Sequence, residues 1–150
     1  MKSHPYLRAY MSGISVPTPL LLVALTLFSI ARFVYDVPIP VERVIIFPMA
    51  IIPNLFGVWN VLHLASRSCT HLPLGIHGAV LPFILAPLGF LLGRSLGFLK
   101  ATDHGFLYFG VVNVHYAHVA IIFPVVLIVY YLVWKYLIGF FNQVVGIAEQ

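Results

Sequence analysis

The 150-residue chain is 61% hydrophobic and only 8% charged, with eight Lys and Arg against four acids and a formal charge of +4. A soluble globular domain carries about 25% charged residues, so this composition excludes one. The singly scattered basic residues exclude a nucleic-acid face, and the lone Cys69 excludes an intrachain disulfide or a thiolate cage. What remains is an all-α integral membrane protein. Its length accommodates four transmembrane helices of about 20 residues each.

Residues 1–150 read as a single four-span domain, an antiparallel bundle with spans at about 17–37, 41–65, 73–98 and 106–136. Tyr6, Arg8 and Tyr10 suit the headgroup zone, so a short interfacial helix is expected over residues 3–14. No small-x-small cleavage site follows the first apolar run, and the segment is expected to be retained. Pro17 and Pro19 open span one, where a missing amide hydrogen has no partner to lose. Arg32 and Asp36 lie one turn apart at its far end, before a stiff turn through Pro38 and Pro40.

Span two carries Pro48, Pro53, Asn54 and Gly57. Its prolines leave carbonyls that the Asn54 side chain is placed to bond. Asn60, His63 and Arg67 then share a stripe at i, i+3 and i+7. The loop 66–72 makes spans two and three an antiparallel hairpin. Span three aligns Gly75, Gly78, Ala79, Pro82, Ala86, Gly89, Gly93 and Gly97 within an arc of about 100°, a Gly/Ala/Pro seam through which this third helix is expected to pack. A connection from Lys100 to Gly105 follows, with Thr102 or Asp103 as the expected N-cap of the last helix. That helix ends at the anchor Trp134, Lys135 and Tyr136, and the tail from Asn142 is expected to be wet.

Lys and Arg divide evenly between the two sides. Both termini are assigned to the cytoplasmic face of the cell membrane, because Lys2 and Arg8 precede the first span and the facing side holds three of the four acids.

Alternating crossings sort the ionisable residues by face. The first and third loops gather Asp36, Glu42 and Asp103 with His104, His115, His118, Arg32, Arg43, Arg94 and Lys100. On a continuous fourth helix, His104, Tyr108, His115 and His118 fall within about 80° of one another. Imidazole and carboxylate together suit a divalent transition metal, with His115, His118, His104 and Asp103 as ligands. Arg94, Arg43, Glu42, Tyr108 and Asn54 would line a polar ligand site beside them. The charged residues at helix ends also serve plain interfacial solvation, whereas His115 and His118 stand in an apolar run, where an unpaired imidazole is costly.

On the opposite face, His63 and His77 sit at similar depth on neighbouring spans, the geometry of a haem b clamp. The leading expectation is a small membrane protein that binds or transports a small polar or metal ligand. It would act as a homo-oligomer or a subunit of a membrane complex, since four helices enclose no wide aqueous path. Two alternatives stand beside it. One is a membrane-embedded enzyme acting on a lipid-borne substrate, with His115 or His118 as acid or base, Asp103 or Glu42 orienting, and Arg94 or Arg43 holding an anionic group. The other is a haem-binding redox subunit.

Overall fold

The structure, a computed structural model, describes residues 4–37, 47–108, 110 and 112–147, with the backbone alone for 47–49. Lys2, Pro38, Pro40, Glu42 and Arg43, which figured in the sequence reading, lie outside the described residues. The chain runs α1 (Pro5–Ile14), α2 (Pro17–Phe33), α3 (Phe47–Ser66), α4 (Leu74–Ser95), β1 (Leu99–Thr102), β2 (Gly105–Tyr108), β3 (Val112–His115) and α5 (Tyr116–Leu132). A π turn (Val133–Ile138) and α6 (Gly139–Val144) complete it. Three helical runs are long and apolar enough to cross a membrane: Pro5–Phe33, Leu74–Ser95 and Tyr116–Val144. Ala50–Ser66 is a shorter apolar helix.

The chain forms two compact units, Met1–Leu72 with Lys135–Gln150, and Pro73–Trp134. In the first, Pro5, Pro17 and Pro19 occupy or follow helix starts. The hydroxyls of Ser15 and Thr18 donate to the carbonyls of Met11 (2.7 Å) and Ile14 (2.6 Å), so the junction between α1 and α2 keeps its polar atoms bonded. Helix α1, expected as an interfacial element, packs along α3 through buried Ala9, Ser12 and Gly13. A Cβ on Gly13 would lie 2.5 Å from the Phe56 carbonyl oxygen and 2.7 Å from Gly57 Cα, so the two backbones touch where only glycine fits. The Asn54 carboxamide donates to the Ala50 carbonyl at 2.5 Å, in the turn that Pro53 disrupts, and accepts from the Tyr10 hydroxyl.

Asn142 is buried, contrary to the expected wet tail. Its side chain and that of Asn60 exchange hydrogen bonds (2.8 and 3.3 Å), and Asn60 also donates to the Ala9 carbonyl at 2.8 Å. Asn142 is held there by a C-terminal cap: Gly146 (φ +75°) lets Ile147 N–H reach the Asn142 carbonyl at 2.7 Å and Gly146 N–H reach that of Gln143 at 3.0 Å. A helix stopped in this way buries the asparagine that precedes its end.

In the second unit α4 packs on α5. The seam expected on α4 is used only in part. Gly75, Gly78, Pro82 and Gly93 are buried, while Ala86 and Gly89 are exposed. Trp134 lies flush on Gly78, where a Cβ would fall 1.9 Å from the indole Cγ. Midway, α4 meets α5 through Phe83 and Phe123, edge-on at 5.2 Å, so bulky rings take the place of the small residues. Gly97 belongs to the helix end and not to the seam. At φ +78° it allows Phe98 N–H to bond the Gly93 carbonyl (3.1 Å), and the Phe98 ring folds back over Gly93.

The largest correction falls on residues 99–115. A fourth helix was expected from 106, yet this stretch is an antiparallel meander in the order β1-β2-β3, with Leu99 opposite Tyr108 and Gly105 opposite His115. Asp103 and His104 form the first turn, so neither Asp103 nor Thr102 caps the last helix. That helix begins at Tyr116, with His115 at its N-cap. The described residues thus form mostly helical units carrying a small sheet, with three helical runs long and apolar enough to cross a membrane.

Candidate functional site

The sheet breaks the expected histidine stripe. His104 lies in the β1-β2 turn, Tyr108 in β2, His115 at the end of β3 and His118 in the first turn of α5. Two of the four still meet: the His115 and His118 rings lie 5.9 Å apart, tilted by 40°. Both residues are exposed.

Tyr116, between them, fixes this geometry. Its N–H donates to the His104 carbonyl (3.1 Å) and its hydroxyl to the Thr102 carbonyl (2.8 Å), while the Thr102 hydroxyl donates to the Gly105 carbonyl (2.9 Å). The Tyr116 ring stands edge-on to Phe106 at 5.1 Å, and Phe106 in turn meets Phe90 of α4 at 5.6 Å. Gly105 opposite His115 leaves no room for a side chain, since its Cβ would sit 2.2 Å from the Val114 carbonyl oxygen. One tyrosine thus ties the first hairpin turn to the start of α5 and sets the backbone that carries both imidazoles. Sequence reasoning passed over Tyr116, although an aromatic residue directly after a histidine in an otherwise aliphatic run was the available signal.

Among the described residues no three His, Cys, Asp or Glu side chains gather into a group able to hold a metal, so His104 and Asp103 stand outside any such set. Arg94 and Lys100 are exposed at the end of α4 and in β1, and Asp36 is exposed beyond α2 at φ +52°. Arg32 lies 5.6 Å from the Phe33 ring centre. Tyr108 is half-buried in β2, and Asn54 is engaged with Tyr10 and Ala50. His63 is buried in the first unit, and its carbonyl accepts from the Ser66 hydroxyl at 3.2 Å. His77, in the second unit, meets Trp134 edge-on at 6.0 Å. Cys69 is exposed.

The chain matches no family model, and no curated protein or solved structure matches it. The residues alone therefore carry the functional reading.

Proposed function

We propose that this chain is a four-span protein of the cell membrane that binds a divalent transition metal, or a small polar ligand of similar demands, through His115 and His118. The observation that supports it is the 5.9 Å ring separation on a backbone fixed by Tyr116. An ion about 2.1 Å from one nitrogen of each imidazole holds the ring centres about 5 Å apart at a tetrahedral angle, so a small rotation about the side-chain bonds closes the pair.

A second consideration supports a position for the pair at the membrane boundary. Among the described residues no strand pairs with the outer edges of β1 and β3, and open sheet edges are not tolerated in hydrocarbon. The sheet therefore sits in the headgroup zone or beyond, with His115 and His118 where α5 enters the bilayer. Water-borne ions reach such a position without crossing lipid.

The test is zinc, copper or nickel binding to the purified chain in nanodiscs, followed by calorimetry and metal analysis. Wild type is expected to retain the ion, His115→Ala and His118→Ala each to weaken binding at least tenfold, and His104→Ala and Asp103→Ala to leave it unchanged. Absence of uptake by wild type, or uptake by either imidazole variant equal to that of wild type, overturns the reading.

A further inference from the structure

The imidazole pair is half of a coordination sphere. Closed metal sites take four protein ligands in a tetrahedron, and among the described residues no further His, Cys, Asp or Glu joins His115 and His118. Both imidazoles are exposed, and α5, which begins between them, buries none of its side chains. The pair is thus presented outward, on an element with room beside it.

We infer that a second copy of this chain supplies the missing ligands, so that His115 and His118 from two chains close round one divalent ion and the ion joins the chains. This rests on the proposed metal binding and adds its stoichiometry and partner. The bilayer favours such an arrangement. Copies inserted by the same route share one orientation and one depth, so rotation about a two-fold axis along the membrane normal brings equivalent residues to a common level. Two exposed i, i+3 imidazoles at that level meet their counterparts, giving four neutral nitrogens for a borderline-soft ion such as zinc. Among the described residues of a lone chain no further ligand is offered, which leaves the same two positions to water.

Zinc titration into the full chain in detergent micelles, read by calorimetry for stoichiometry and by light scattering for protein mass, tests this directly. The expected result is saturation at about one ion per two chains, with a doubling of protein mass that a chelator reverses. His115→Ala and His118→Ala should each abolish both signals. Neither change is expected to impair folding, because both side chains are exposed and the His115 side chain makes no capping bond to α5. Saturation at one ion per chain with unchanged mass overturns the shared site while leaving metal binding in place. A dimer that persists in chelator and in the double variant also overturns it, because association would then not run through the ion. No zinc uptake at all removes both the shared site and the reading beneath it.

Discussion

Two glycines on α4 separate what composition can say from what packing decides. Gly78 and Gly89 belong to the same small-residue stripe, but Trp134 covers Gly78 while nothing lies within 4 Å of a Cβ at Gly89. The atoms facing Gly78 are Trp134 Cγ, Cβ and Cδ1; a rotamer change swings the ring aside but leaves Cβ, 2.3 Å from the added methyl, where it is. Gly78→Ala should therefore destabilise the α4–α5 pairing by about 1–3 kcal/mol, as overpacking does. Gly89→Ala should be neutral or stabilise by up to about 1 kcal/mol through helix propensity alone. Thermal unfolding of both variants in one detergent checks the contrast, and equal shifts would contradict the packing of Trp134 on Gly78. The stripe itself was legible because small residues recur with helical period. Which of its members would be covered was not, since that depends on where one indole 56 positions further along comes to rest.

Between elements, the decisive bond is the amide pair that links α3 to α6. In the bilayer proposed for this chain, burial from water does not discriminate between helix faces, and interhelical hydrogen bonds and close packing carry specificity. Asn60→Ala removes both bonds to Asn142 and the one to Ala9, and Asn142→Ala removes the reciprocal pair. Each variant should cost about 1–2 kcal/mol. Because they share the same bonds, the double variant should cost little more than Asn60→Ala, leaving a coupling of about 1 kcal/mol in a double-mutant cycle. Additive costs would show that the two amides act separately.

The helices α2, α3 and α4 were readable from their apolar runs, proline starts and short connections. The sheet was not. From Phe106 the sequence is mostly apolar and continuous with the following span, and four-residue strands are too short for alternation to outweigh a helical pattern. The Asp103, His104, Gly105 sequence and Gly110 at φ +73° are the turn residues that mark it; the first three read as a plain connection before a helix, and Gly110 was absorbed into that helix. The same error scattered the four-residue stripe while sparing His115 and His118, whose short separation in sequence keeps them adjacent across the strand-to-helix junction.

For the whole molecule, the question is how many times the chain crosses. Helix α3 is 20 residues long, about 30 Å at 1.5 Å per residue, which matches a hydrocarbon core. It turns Asn60 and His63 inward and leaves Val58 and Leu62 exposed, the distribution of a helix whose outer face meets lipid. If α3 and the three long apolar runs all cross, as proposed, His4 and Cys69 share one side and the Asp103 turn lies on the other. The exposed native Cys69 makes this measurable with a membrane-impermeant maleimide on sealed vesicles. Cys69 should label from the same side as a Cys69→Ser/His4→Cys chain, and Cys69→Ser/Asp103→Cys should label from the opposite side. Labelling of Cys69 and His4→Cys from opposite sides would remove α3 from the crossing helices and leave three. Labelling of Cys69 and Asp103→Cys from one side would mean that α4 does not cross, and would separate the imidazole pair from the boundary at which metal binding is proposed.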